Sequence, residues 1–331
     1  MRAIEITAPG GPEVLQEREV PTPEPGPGQI RVRVRAVGVN RADLLQRRGH
    51  YPAPPGVPPG IPGLEYAGEV DDVASDVTRW RPGDRVMGIV GGGAYAEAVV
   101  VDEREALAIP AGVTFEEAAA IPEAFLTAHD ALFTQLGVGA GESVLIHAVG
   151  SGVGLAALQL ARVAGARVLG SSRSSWKLER ARGLGLDVAI DTGDGAGDAE
   201  GFDEVVRRET GGAGVDAILD LVGGAYLAGN IRALARQGRM VVVGLVAGRR
   251  AELDLGTVLA KRLTLRGTVL RSRSLEEKIA VAESFRETAL PLFDEGRLRP
   301  VLDTIFSFEE VGAAHEYVES NRNFGKVILR W

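Results

Sequence analysis

The residues best suited to chemistry in this chain lie in the run His147-Ala148-Val149-Gly150-Ser151-Gly152-Val153-Gly154. An apolar segment leads into it, and Leu155-Ala156-Ala157-Leu158-Gln159-Leu160-Ala161 follows with helical texture. Small residues let a backbone approach a pyrophosphate, and the start of the following helix offers unbonded N–H groups and a partial positive charge to hold it. A glycine string alone is equally a tight strand-to-helix turn. The strand before it and the helix after it point to a dinucleotide, with Val149, Gly150, Ser151, Gly152, Val153 and Gly154 against the phosphates.

The choice of dinucleotide is read one strand later. A site for NAD places an acid about 20 residues on, to accept from the ribose hydroxyls. The text there is Leu169-Gly170-Ser171-Ser172-Arg173-Ser174-Ser175-Trp176-Lys177, with no acid before Glu179. The Ser172 hydroxyl with the Arg173 and Lys177 cations suits a 2′-phosphate dianion, which favours NADPH. The plainer account makes Ser174 or Ser175 a helix cap and the two cations solvated surface charges. Both accounts can hold together.

Strands alternating with helices must position these groups. From about Ala124 onward we expect strands at Ser143–Ile146, Arg167–Ser171, Ala217–Val222, Met240–Leu245 and Leu263–Leu270. Helices are expected at Gly154–Gly165, Ser175–Gly185, Phe202–Thr210, Ala225–Arg236 and Glu276–Phe293. This is the pattern of a parallel sheet covered on both faces, and the apolar strands fit burial on both sides. Before that, Ile30, Val32 and Val34 alternate with Arg31, Arg33 and Arg35, the period of a half-buried strand. Proline-rich text from Tyr51 to Pro62 reads as a shaped loop, since proline donates no amide and fixes its own φ.

Composition narrows the classes. The chain has 331 residues, 45% of them hydrophobic and 25% charged, which fits two packed domains. A net charge of −8 argues against a protein that neutralises phosphate backbones, so no nucleic-acid partner is expected. There is no cysteine, which removes disulfides, thiolate nucleophiles and cysteine-ligated zinc. No stretch approaches the roughly 20 apolar residues of a membrane span, so no membrane partner and a cytoplasmic location are expected. The four histidines, His50, His129, His147 and His315, lack paired ligand spacing and read as packing or hydrogen-bonding residues.

The motifs Gly38-Val39-Asn40-Arg41-Ala42-Asp43, Gly63-Leu64-Glu65-Tyr66-Ala67-Gly68, Pro82-Gly83-Asp84-Arg85-Val86, the glycine turn with Gln159 and Arg162, and Gly325-Lys326 together resemble the medium-chain dehydrogenase/reductase superfamily. Within it the chain is similar to the zeta-crystallin type of NADPH:quinone oxidoreductase. The run Asn40 to Pro55 looks closest to the stress-induced quinone reductase branch. The resemblance implies an α/β protein: a GroES-like β-rich catalytic domain over 1-123, a doubly wound Rossmann NADP-binding domain over 124-265, and a return to the catalytic domain over 266-331. In the zinc enzymes of the superfamily a cysteine ligand matches Asn40 and a histidine ligand matches Leu64. Neither a carboxamide nor leucine is a usable zinc donor, so no metal is expected. Quinones and conjugated enones accept a hydride without a metal, because the charge spreads onto an oxygen that a hydrogen-bond donor stabilises.

The same resemblance implies roles. Asn40 would lie near the nicotinamide, although loop or helix capping explains it equally. Tyr51 would donate a hydrogen bond to a quinone or stack on it, against simple loop packing, and Ser151 would help position the acceptor and relay a proton. Thr127, Gly244, Leu245, Leu270, Asn323 and Lys326 match segments that line the cofactor. Glu65 reads as a structural hydrogen-bond partner. Relatives pair the sheet edge at Leu263–Leu270 across a twofold axis, so a homodimer through the Rossmann sheet edge is expected. The rival functions are an alkenal or enone double-bond reductase and a non-enzymatic NADPH-binding protein.

Overall fold

The computed structural model describes residues 1–193 and 201–331. They form two units, Met1–Leu126 with Leu270–Trp331, and Thr127–Val269. The divisions fall at Thr127 and Leu270, where the sequence suggested 124 and 266.

The first unit is built on a sheet of seven strands. Its path runs Leu302–Ser307, Lys326–Arg330, Gln29–Val39, Glu65–Val73, Arg85–Ile89 and Leu107–Ala108, with Ala98–Asp102 also paired to Gln29–Val39. The alternation read in the sequence is visible here. Ile30, Val32 and Val34 are buried, while Arg31 and Arg35 reach outward to Asp71 and Glu69 on the neighbouring strand. The wet face is thus a cross-strand ladder of opposite charges. Strand Lys326–Arg330 pairs antiparallel with the far end of Gln29–Val39, placing Val327 beside Val39. That pairing brings the end of the chain back against its beginning. Residues 51–62 contain no helix or strand, as the prolines require.

The second unit is a six-stranded parallel sheet in the order Val188–Asp191, Arg167–Ser172, Ser143–Ile146, Val215–Asp220, Leu234–Val242 and Thr264–Gly267. The two central strands bury Val144, Leu145, Ile146, Ile218 and Leu219 completely, as a sheet covered on both faces should.

Among the details that differ from the sequence reading, four lie in the second unit. Strand Val188–Asp191 was not foreseen, since Asp187-Val-Ala-Ile-Asp191 is too short an apolar run to separate from a loop. Helix Leu255–Lys261 was not foreseen either; its leucines are exposed and give no core-facing period. The fourth helix ends at Ala233 rather than Arg236, and the strand after it begins at Leu234 rather than Met240, with Gln237 at positive φ inside it. The edge strand is confined to Thr264–Gly267, not Leu263–Leu270, and it is largely exposed because only one neighbour covers it. Among the described residues no helix is long and apolar enough to cross a membrane.

Candidate functional site

In the second unit, strand Ser143–Ile146 ends at His147, and the chain turns sharply through Ala148, which adopts φ 48°. Ser151 then caps helix Gly152–Val163, its Oγ accepting from the Gly154 amide at 3.1 Å. The amides of Gly152 and Val153 have no hydrogen-bond partner among the described residues, the usual state of a first helical turn. Gly154 is required by close approach: a Cβ there would lie 2.5 Å from the Ala148 carbonyl oxygen. Bare amides at a helix start, with glycine holding the helix against its strand, make an anion cradle.

Behind the turn lies a buried polar chain whose direction can be deduced. Asp220 Oδ1 accepts from the amides of Val222 and Gly223, and its Oδ2 accepts from Asn230 Nδ2 at 3.1 Å. The Asn230 carbonyl oxygen therefore faces His147 Nε2 at 2.7 Å and must accept its proton. That leaves His147 Nδ1 as the acceptor from the Ser171 hydroxyl at 2.6 Å. Burial holds His147 below the usual imidazole range, so the neutral tautomer persists. His147 thus fixes the Ser171 hydroxyl at the end of the strand that carries Ser172.

Ser172 accepts from the Ser174 amide at 3.1 Å. Arg173 is exposed, and the Lys177 ammonium lies 5.4 Å from the centre of the Trp176 ring. Val149 is fully buried. A Cβ on Gly150 would meet the Lys177 stem at 2.9 Å, so Gly150 and Lys177 are neighbours. Gly244 packs so closely on the Leu221 carbonyl that a side chain would meet it at 2.4 Å, whereas Leu245 is half exposed. Thr127 is buried, and its Oγ1 has no hydrogen-bond partner among the described residues. A buried hydroxyl without a partner costs roughly 1–3 kcal/mol, which a bound polar group would offset. The cradle and the two cations fit the phosphates of a dinucleotide, and the orphan hydroxyl fits a polar group elsewhere on it.

In the first unit, Asn40, Glu65 and Lys326 meet in one buried knot. Glu65 Oε1 accepts from Lys326 Nζ at 2.5 Å and from Asn40 Nδ2 at 2.8 Å, while Oε2 accepts from the Glu123 amide at 2.8 Å. The Asn40 carboxamide oxygen accepts from Lys326 at 2.6 Å. Asn40 and Lys326 were expected toward the cofactor; their polar atoms are engaged with Glu65 and each other. Asp43 closes the same region, accepting from the amides of Asn40 at 2.7 Å and Gly63 at 3.1 Å. Burial pushes Asp43 up to about 6. Burial, reinforced by the Glu65 charge, pushes Glu123 up to about 8. Among the described residues no group of His, Cys, Asp and Glu is arranged to hold a metal ion.

Tyr51 opens the proline-rich loop, with its hydroxyl unbonded among the described residues and the Arg271 guanidinium 4.7 Å from its ring centre. Asn323 donates to the Gly325 carbonyl at 2.8 Å, and Leu270 is buried. The sequence reading missed Glu123 and Arg271. An acid set among apolar residues in Ile121-Pro122-Glu123-Ala124-Phe125-Leu126 was the signal for the first. Nothing local marks Arg271, whose partners lie about 180 to 225 positions earlier.

Residues 26–111 match the family "Alcohol dehydrogenase GroES-like domain" and residues 152–290 the family "Zinc-binding dehydrogenase". A quinone oxidoreductase of Pseudomonas aeruginosa is 34% identical over 332 residues, covering 99% of both chains. The chain belongs to the medium-chain dehydrogenase/reductase superfamily. Among solved structures, an NAD-dependent alcohol dehydrogenase is similar to this oxidoreductase with a TM-score of 0.88 at 35% identity, covering 100% of both chains. The JamJ enoyl reductase is similar with a TM-score of 0.88 at 26% identity, covering 99% of this chain and 98% of that one. The superfamily's fold, a GroES-like domain with a Rossmann-type parallel sheet, is the one described above, and its members use a nicotinamide cofactor.

Proposed function

We propose that this oxidoreductase is a zinc-independent, NADPH-dependent reductase of quinones. The observation that carries the metal-free reading is the Lys326 ammonium held at 2.6 Å by Asn40, the residue matching a zinc-ligand position in the metal-dependent members. Zinc is held by anionic or imidazole donors, and this chain sets its own cation beside a carboxamide there. Leu64, matching a second ligand position, has no donor at all.

The bound nicotinamide supplies a hydride, and reduction of a quinone to a hydroquinone takes one hydride and one proton. The protein's part is to hold the reactants and manage that proton. The Gly152 and Val153 amides would hold the pyrophosphate, Arg173 and Lys177 the 2′-phosphate, and the Thr127 hydroxyl the carboxamide. The absence of any acid from Ser171 to Lys177 supports NADPH over NADH. Tyr51, whose hydroxyl has no partner among the described residues, is the donor we assign to the acceptor oxygen. Ser151 keeps its hydroxyl proton available while its oxygen caps the helix, so it has a proton to give.

The likeness to an enoyl reductase supports a second reading, reduction of a conjugated double bond, since one fold and cofactor serve both. The deciding measurement follows NADPH and NADH oxidation separately against ortho-quinones, para-quinones, alkenals and enoyl thioesters, with a chelator control. Turnover of quinones with NADPH that survives chelation is expected. Turnover of double bonds alone, or loss on chelation, overturns the reading.

We also propose a homodimer through the edge strand Thr264–Gly267. Leu255 and Leu259, on the helix beside it, are 69% and 79% exposed, an apolar surface that a second copy would cover. Sedimentation of Leu259→Lys should show monomer where the native chain shows dimer.

A further inference from the structure

Arg271 is a buried cation with no carboxylate in contact among the described residues. Its Nε donates to the Gly91 carbonyl at 2.6 Å, Nη1 to the Tyr51 carbonyl at 3.2 Å, and Nη2 to the Gln46 side-chain oxygen at 2.5 Å. Its face lies over the Tyr51 ring, 4.7 Å from the centre. Gln46 in turn donates to the Pro59 carbonyl at 3.3 Å, so the far side of the proline-rich loop is fastened to the same residue. One guanidinium therefore grips both ends of the loop and the segment at Gly91.

A buried guanidinium answered only by neutral oxygens and a ring is a costly way to hold a loop together. What it supplies beyond a neutral side chain is orientation. The rigid planar fork holds the Tyr51 main chain and ring together, which neither lysine nor an apolar residue reproduces. We propose that Arg271 is a positioning residue for acceptor reduction, fixing the Tyr51 ring so that its hydroxyl is presented in a single orientation. This rests on the assignment of Tyr51 to the acceptor. The charged and titratable groups around the pair are Asp43, Glu123 and, across a small cavity of about 10 Å³, Lys278. The Arg271 charge opposes the effect of burial on the Tyr51 phenol, favouring release of its proton.

The test combines kinetics with a readout that needs no turnover. Arg271→Met and the milder Gln46→Met are compared with Tyr51→Phe and with the Arg271→Met, Tyr51→Phe pair, using 1,4-benzoquinone and NADPH. Arg271→Met should lower kcat/KM for the quinone on the order of 100-fold, as expected for a misplaced group, with NADPH affinity by fluorescence titration unchanged. Gln46→Met should fall between it and the native chain. In the Tyr51→Phe background the Arg271 change should cost little more, since both act through one hydroxyl. Amide exchange over residues 50–62 should quicken about tenfold in Arg271→Met. Independent, multiplying effects of the two substitutions overturn the proposal, as does an equal loss of NADPH affinity or an unchanged exchange rate. If the native chain reduces no quinone, the functional reading fails, and the exchange rate alone decides whether Arg271 holds the loop.

Discussion

The Lys326 ammonium lies 2.5 Å from a Glu65 carboxylate oxygen, and both side chains are buried. The pair joins the last strand of the first unit to the strand that carries the Gly63–Gly68 motif. Removing one partner strands the other charge in the interior, which costs about 3–5 kcal/mol. Lys326→Met should therefore lower the urea unfolding free energy by that amount. Glu65→Gln added to it should restore much of the loss. A Lys326→Met chain as stable as the native one would show that the pair carries no such weight.

Thr127 makes a prediction of opposite sign for the two states. Its buried hydroxyl has no partner in the described residues, so Thr127→Val should leave the cofactor-free protein as stable as before, or more so. The same change should weaken NADPH and NADH alike by roughly tenfold, the worth of about 1.4 kcal/mol. Thermal shift without nucleotide and fluorescence titration with it separate the two effects. Undiminished affinity would remove Thr127 from the nicotinamide site.

Arg173 and Lys177 should discriminate between the two dinucleotides. A hydrogen bond to a charged group contributes roughly 1.5–3 kcal/mol, so Arg173→Ala should raise KM for NADPH about 10- to 100-fold and leave KM for NADH in place. Lys177→Ala should act in the same direction. Equal effects on both cofactors would assign the cations to general surface charge.

Glu123 sets a pH dependence of stability. Its carboxyl is pushed up to about 8 in the folded chain, from an ordinary value of 4.5, so the folded state holds its proton more tightly than the unfolded one. Stability from this group is complete below pH 4.5 and declines as pH rises toward 8. Asp43 adds a decline in the same direction between 3.8 and about 6. Glu123→Gln should flatten the fall in Tm between pH 5 and 8 and raise Tm most at the alkaline end. An unaltered slope would mean that Glu123 is ionised in the native chain.

Local patterns were legible where the chain itself carries the cause. Gly150 to Gly154 runs from the strand's end into the first helical turn, where Gly154 allows the close approach to Ala148, and the turn could be read directly. The Ile30, Val32 and Val34 face could be read for the same reason. Glu65 could be read only as a hydrogen-bond partner, because its three partners come from Asn40, Glu123 and Lys326, and only the folded sheet brings them together. Arg271 was illegible on the same ground. The His147 chain lay between these cases: the histidine stood out beside the turn, while Asn230 and Asp220 gave no sign of pointing to it.

Asp130 accepts a hydrogen bond from the Thr268 hydroxyl at 3.1 Å, and these residues stand three positions after Thr127 and one before Val269. The two points where the polypeptide crosses into and out of the second unit are thus clasped side by side. A segment whose ends already touch can be cut out and closed on itself, or exchanged for another, without stretching what remains. The parallel-sheet unit is in this sense a cassette, closed on itself by a paired stem.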